Sequence, residues 1–348
     1  MERLTEDLMN SWTEGGHDVV CYTTPPPSGA HFERSDVVIR ALPGRSGHYS
    51  AGWRRRVRQT VRPEDHDVIL GVSSGAASLA GHAGRTPVVM QAHGTALAEI
   101  RTKLAGPTAR GLAGVAKNCI NLASDLRTYR RYDGLVAIGR GVASDLQSVP
   151  RPVRPRDVQV IVNGVPSFIE PGVERAHGDT EHVVFVGRLK REKGVDLLLR
   201  AAQARAWRVS VAGDGPEEQG LRALAGQLDL EHRVEFLGSV SRDEVGALMT
   251  TADVVVVPSR RREGLPLVAL EALVLGRRLV VSEQAAQSIP AGHGLVKTAR
   301  ATAEDLGAAV DEVLSQPVPA PEPAFRIEEC AASYIKYFER LRRKQAAR

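Results

Sequence analysis

The sequence predicts an α/β protein built from two parallel-sheet domains, and three observations carry that reading. Short runs rich in Val, Ile and Leu alternate with helical stretches along the whole chain, the pattern of strands buried on both faces and joined by crossover helices. Around Pro166–Thr180 that rhythm breaks, and Pro, Gly and charged residues displace apolar ones, which marks a linker. At 348 residues the chain is long for one core and comfortable for two, since domains commonly run to ~100–200 residues.

In chain order, the first segment reads as a helix with Leu4, Leu8, Met9 and Trp12 on its apolar face, ended by Gly15-Gly16. Strands are then expected at Asp18–Thr23, Asp36–Ala41, Asp67–Gly71, Pro87–Ala92, Gly134–Ile138 and Gln159–Asn163. Beyond the linker they are expected at His182–Gly187, Arg208–Gly213, Val234–Gly238, Asp253–Pro258 and Arg278–Ser282. A proline-rich stretch, Pro317–Pro323, precedes a last amphipathic helix over Glu328–Arg342. No repeat of 20–50 residues recurs, so a solenoid is not expected.

Composition narrows the function classes. Hydrophobic residues make up 43% and charged residues 25%, ordinary values for a globular chain and wrong for a largely disordered one. No apolar run approaches the ~20 residues needed to cross a bilayer, and no signal peptide is visible. The cysteines, Cys21, Cys119 and Cys330, are scattered without metal-ligand spacing. They point to buried or half-buried thiols in a reducing compartment, the cytoplasm by default, and no metal or other cofactor is implied. The net charge of +5 includes arginine clusters at Arg54, Arg55, Arg56 and Arg58 and at Arg127, Arg130 and Arg131. Such clusters read either as solvated helix faces or as peripheral contacts with an anionic membrane or phosphorylated substrate. With six Phe and three Trp the aromatic interleaving of a single-strand binder is absent, and nucleic acid is not an expected partner.

The chemistry-bearing residues concentrate in the second half. Gly187-Arg188 follows one strand, with Lys193-Gly194 five residues on. A glycine there lets the backbone turn sharply, and two cations at a strand's carboxyl end suit a diphosphate. Gly213-Asp214-Gly215-Pro216 closes the next strand and lacks the spaced glycines of a dinucleotide fingerprint. Gly238-Ser239 closes another. Pro258-Ser259 then leads into Arg262-Glu263-Gly264-Leu265-Pro266-Leu267-Val268-Ala269-Leu270-Glu271. Glu263 precedes a helix and Glu271 lies inside it, on an apolar surface where an unpaired carboxylate would be costly. Carboxylates accept hydrogen bonds from sugar hydroxyls, and the helix start favours anions.

The ordered set Gly187-Arg188…Glu192-Lys193-Gly194, Gly213-Asp214-Gly215-Pro216, Phe236-Leu237-Gly238 and Pro258-Ser259…Glu263-Gly264…Glu271-Ala272 resembles the C-terminal domain of retaining GT-B glycosyltransferases of family four, the group 1 glycosyl transferases. The resemblance implies a GT-B fold: two Rossmann-like doubly wound domains facing a cleft, with a C-terminal helix crossing back to the first. On that reading residues 1–165, completed by 325–348, form the acceptor domain and 178–324 the donor domain. Arg188 and Lys193 would bind the donor diphosphate and stabilise the leaving group, Glu263 would contact the donor sugar, and Glu271 the nucleotide ribose. Gly187, Gly215, Gly238, Gly264, Leu265 and Leu267 would line the donor, the backbone of Gly264 and Leu265 approaching the phosphates. His93-Gly94 resembles the family's His-Gly element, which makes His93 a candidate near the reacting sugar. The implied donor is a nucleotide-diphosphate sugar, uridine-linked, and the acceptor a hydroxyl of a small molecule, natural product or glycan.

The chain departs from the family in two respects, the lesser being that Glu283-Gln284-Ala285-Ala286-Gln287, after the last well-matched strand, lacks an expected glycine pair. The family begins with a strand and a Gly-Gly turn, whereas this sequence starts one element later, so its first sheet is expected to lack its usual central strand. A non-catalytic nucleotide-sugar-binding subunit, and an epimerase or phosphorylase on the same architecture, stay open beside the transferase reading. A dinucleotide dehydrogenase is not expected without the spaced-glycine turn.

Overall fold

The computed structural model describes residues 2–26, 36–95, 126–149, 155, 157–166, 180–261, 263, 265–287, 289 and 296–347, together with 100, 119 and 122. The chain divides into two compact units, Met1–Asn163 with Ile327–Arg348, and Gly164–Arg326.

The second unit contains one all-parallel sheet. Its strands are β7 (His182–Val186), β8 (Arg208–Ala212), β9 (Val234–Gly238), β10 (Val254–Val257), β11 (Arg278–Ser282) and β12 (Val296–Ala299), in the order β12-β11-β10-β7-β8-β9. Val254–Val257 is four valines, all buried, as a strand covered by helices on both faces requires. The crossover helices supply the rest of the core: Leu198 and Leu199 on Val195–Gln203, and Leu306 and Val310 on Ala303–Leu314, pack with Phe185, Trp207 and Val256.

In the first unit α1 (Glu2–Glu14) leads to β1 (Val20–Thr23), which pairs in parallel with β2 (Val38–Ala41). A separate parallel sheet follows: β3 (Ile69–Val72), β4 (Val88–Ala92), β5 (Gly134–Ala137) and β6 (Val158–Val160), in that order. Both sheets border the same apolar cluster, because Val19 next to β1, and Val68 and Leu70 by β3, pack against Leu4, Leu8 and Trp12. The last helix, Ile327–Ala346, belongs to this unit. Trp12 Nε1 donates to the Ala331 carbonyl at 3.1 Å, and its ring meets Tyr334 edge-on at 5.7 Å and Phe338 at 6.0 Å. Aromatic contacts of this kind contribute ~0.5–1.5 kcal/mol each beyond the area they bury, so the two termini are tied into one core. Among the described residues no helix is long and apolar enough to cross a membrane.

Candidate functional site

The sheet order of the second unit defines where a ligand belongs. From β7 the chain moves outward through β8 to β9, then returns to β10 on the other side of β7 and moves the opposite way. The β7/β10 pair is therefore the topological switch point, and open α/β sheets bind ligands outside the carboxyl ends of the strands there. Arg188 and Lys193 follow β7; Ser259 and Glu263 follow β10.

Two loops meet at this point. Lys193 Nζ lies 2.9 Å from both carboxylate oxygens of Glu263, with their side chains 26% and 10% exposed. Ser259, fully buried, donates its hydroxyl to Glu263 at 2.5 Å and lies 3.1 Å from the Glu192 carbonyl. The Ser282 hydroxyl in turn donates to the Ser259 carbonyl at 2.5 Å. Arg260 closes the seam: its backbone N–H donates to the Glu192 carbonyl at 2.8 Å, and its guanidinium grips Asp196 with two bonds of 2.6 Å. Burial raises the Asp196 carboxyl, but the hydrogen bonds and charge of Arg260 outweigh it and hold it below its ordinary range. At Gly194, φ is +73° and an added Cβ would lie 2.1 Å from the Pro258 carbonyl oxygen. Only glycine allows the two loops to approach this closely.

The glycine turns form a second layer of the same edge. Gly187 N–H donates to Ala212, Gly213 N–H to Gly238, and Leu189 N–H to Asp214, at 2.7–2.9 Å. A Cβ on Gly213 would lie 2.0 Å from the Gly187 oxygen and one on Gly215 2.3 Å from that of Leu189. Three adjacent turns are thus stitched together by main chain, leaving little room for side chains.

Helix capping separates this edge from the rest. The helices after β7 (Val195–Gln203), β8 (Glu218–Gln227) and β10 (Leu267–Val274) have no side-chain cap at their N-termini. Those after β9, β11 and β12 are capped by Ser241, Ser282 and Thr302. An uncapped N-terminus presents N–H groups and a partial positive charge to solvent. Three of these, with Arg188 and Lys193, make the edge strongly attractive to an anion such as a diphosphate.

The structure brings Lys193 and Glu263 together as one ion pair. Arg188 is exposed, and no acid among the described residues pairs with it. Leu265 is half-buried; Leu267, on the first turn of its helix, is 36% exposed. Glu271 sits one turn further along, half-buried and engaged with its surroundings. Gly264 lies outside the described residues, as do most of the residues from Arg110 to Arg131, the stretch that ends in the second arginine cluster. Ser259, Arg260 and Asp196 escaped the sequence reading as site residues. Ser259 was visible only as part of Pro258-Ser259, and the partners of the other two lie 64 residues apart.

His93 belongs to the first unit, directly after β4. Its Nε2 lies 3.0 Å from Gln91 Oε1. Burial drives its pKa down to about 4, so the ring is neutral at physiological pH. Among the described residues, no group of three or more His, Cys, Asp or Glu could hold a metal ion.

Comparison with known proteins places the chain. The family described as "Glycosyltransferase Family 4" matches residues 1–167, and that described as "Glycosyl transferases group 1" matches residues 169–331. This chain belongs to the group 1 glycosyltransferases. It is 40% identical over 108 residues to an uncharacterized glycosyltransferase of Methanocaldococcus jannaschii, covering 30% of this chain and 27% of that one. It is 34% identical over 110 residues to the alpha-D-kanosaminyltransferase of Streptomyces kanamyceticus, covering 30% and 28%. The match thus spans just over a quarter of the length of these curated relatives. Among solved structures it resembles Anabaena HepE, determined in complex with UDP and glucose, with a TM-score of 0.65 and 17% identity over 99% of this chain and 94% of that one. The fold is GT-B, the two-Rossmann-domain architecture of this family.

Proposed function

We propose that this family member moves a sugar from a nucleotide-diphosphate donor, a UDP-sugar, to an acceptor hydroxyl with retention of anomeric configuration. The observation that carries the proposal is the pairing of Lys193 with Glu263 at the β7/β10 switch point, a cation suited to a diphosphate beside a carboxylate suited to sugar hydroxyls. The likeness to a fold solved with UDP and glucose, and to a named sugar transferase, supports the donor class.

In the proposed reaction the bond between the anomeric carbon and the diphosphate oxygen breaks, and its electron pair stays on that oxygen. The acceptor hydroxyl oxygen bonds the anomeric carbon from the same face, and its proton passes to the leaving phosphate oxygen. Arg188 and Lys193 stabilise the growing negative charge, by a planar fork and a point charge respectively. Glu263 holds sugar hydroxyls and Glu271 the ribose. The main chain at Gly187, Gly215, Gly238, Gly264 and Leu265 admits the nucleotide closely, and Leu267 offers it an apolar surface. From the first unit we assign His93, as a neutral hydrogen-bonding group, to the transferred sugar or the acceptor. With two cations at the leaving group, turnover is expected to survive chelation of divalent metals.

The acceptor is a hydroxyl of a small molecule, natural product or glycan. If it is membrane-anchored, the Arg110–Arg131 stretch provides the contact, and salt-sensitive binding to anionic vesicles reports it.

A panel of nucleotide sugars tests the donor assignment by thermal stabilisation, since a ligand stabilises by RT ln(1 + [L]/Kd). One UDP-sugar should raise the unfolding midpoint and, with acceptor, yield a new glycoside. Binding without product points to a non-catalytic subunit, and conversion of donor alone to an epimerised sugar contradicts transfer.

A further inference from the structure

We propose that Ser259 is a positioning residue for Glu263: its buried hydroxyl holds one carboxylate oxygen, so that the carboxylate keeps its place when Lys193 turns to a bound diphosphate. That Glu263 contacts the transferred sugar rests on the function proposed above; the anchoring by Ser259 does not.

Lys193 does not orient the carboxylate by itself. Its Nζ lies 2.9 Å from each of the two oxygens, and an ammonium on a flexible four-carbon stem acts as a point charge with rotatable donors. It is also the cation assigned to the diphosphate, so a bound donor draws it away. Ser259 Oγ, on a residue that is 0% exposed, meets Oε1 at 2.5 Å.

Chemistry fixes the direction of this bond. Among the described residues the single hydroxyl proton faces two acceptors, Glu263 Oε1 at 2.5 Å and the Glu192 carbonyl at 3.1 Å. The carboxylate, with the Lys193 ammonium against both its oxygens, only accepts, and so does the carbonyl. The Glu192 carbonyl already takes the Arg260 N–H at 2.8 Å. Two oxygens 2.5 Å apart need a proton between them, the separation of a charge-assisted bond from hydroxyl to carboxylate. The proton therefore lies toward Glu263.

The backbone under Ser259 is held on both sides. Pro258 is pressed against Gly194, where an added Cβ would lie 2.1 Å from the Pro258 oxygen. Arg260 grips Asp196 with two bonds of 2.6 Å. The Ser259 carbonyl accepts the Ser282 hydroxyl at 2.5 Å, and Ser282 Oγ accepts the Ala285 N–H at 3.3 Å. The end of β10 is thus tied to the loop after β7 and to the end of β11, and Ser259 passes that rigidity to Glu263. Alanine would fill nearly the same space at position 259, and a buried hydroxyl is unfavourable unless bonded, so packing does not account for the serine.

A double-mutant cycle between Ser259 and Glu263, read by urea unfolding without ligand, tests the anchoring. Ser259→Ala should raise the unfolding constant about tenfold more in the wild-type background than in Glu263→Ala, as for a hydrogen bond to a charged group. Equal effects in the two backgrounds overturn the proposal, whatever the protein does with a donor. Kinetics tests the positioning. Ser259→Ala should lower kcat roughly ten- to a hundredfold at little changed donor KM, as for a group shifted by a fraction of its contact distance, and should add no further loss to Glu263→Ala. Wild-type kcat in folded Ser259→Ala also overturns the proposal. Should Ser259→Ala fail to fold, Ser259→Cys, close in shape and a weaker donor, takes its place in both measurements. Full turnover by Glu263→Ala would instead contradict the sugar contact proposed above while leaving the unfolding cycle to judge the anchor.

Discussion

Lys193 and Glu263 come from loops 70 residues apart in sequence and meet with Nζ at 2.9 Å from both carboxylate oxygens. A diphosphate bound at this edge must share the Lys193 charge with that carboxylate. The pair is partly exposed, so its strength is on the order of 1 kcal/mol.

Glu263→Gln keeps the shape and removes the charge. UDP alone should then bind more tightly, by about fivefold for ~1 kcal/mol released. Transfer should fall by about two orders of magnitude, because a charge-assisted contact to the sugar is lost. Titration of UDP and steady-state kinetics on the same variant check both directions; weaker UDP binding would contradict the shared-charge account.

Gly194→Ala should destabilise the second unit. The backbone is left-handed at φ +73° and the new Cβ would lie 2.1 Å from the Pro258 oxygen. Such strain costs roughly 1–3 kcal/mol, and relieving it must push apart the loops that carry Lys193 and Glu263. Chemical denaturation should show a lower midpoint together with weaker donor binding. Gly220→Ala, where nothing lies within 4 Å of the added Cβ, is the control expected to be benign.

The Asp196–Arg260 clasp predicts a pH dependence. The folded pKa of Asp196 lies below its ordinary 3.8, so the unfolded chain binds its proton first as pH falls. The stabilisation is complete above the unfolded pKa and disappears as pH drops through the folded one. Asp196→Asn should therefore be less stable than wild type at pH 7, by about 1 kcal/mol for this half-exposed pair, with the two converging in strong acid. Urea midpoints across that range measure it.

His93 gives the opposite charge state and the same sense of slope. Its folded pKa of about 4 lies below the unfolded value of ~6.5, so between these limits the unfolded chain binds the extra proton and stability falls as pH falls. His93→Gln removes that titration. Wild type should lose more stability than the variant between pH 7 and pH 4.5, and equal losses would show that the ring is not held neutral by the fold.

Much of the second unit was legible in sequence because its strands are continuous apolar runs such as Val254–Val257 and its turns carry glycines that the geometry demands. The edge strand β12 escaped, since Val296-Lys297-Thr298-Ala299 is short, partly polar and only half-buried. In the first unit the described strands lie in two separate sheets, β1-β2 and β3 to β6; which strands pair is set by contacts that no local pattern encodes. The cations and carboxylates of the candidate site were legible by type and spacing. Their pairing was not: a salt bridge across 70 residues depends on the completed fold. Ser259 shows the same limit, because a serine after a strand carries no sign that it will be buried between two loops.

The central claim is that the edge at the β7/β10 switch point binds the donor diphosphate through Arg188 and Lys193. Calorimetric titration of the stabilising UDP-sugar into wild type, Arg188→Ala and Lys193→Ala tests it most directly. Hydrogen bonds to charged groups contribute roughly 1.5–3 kcal/mol, so each variant should bind about 10- to 150-fold more weakly while unfolding at a near-normal midpoint without ligand. Wild-type affinity in both variants would contradict the account.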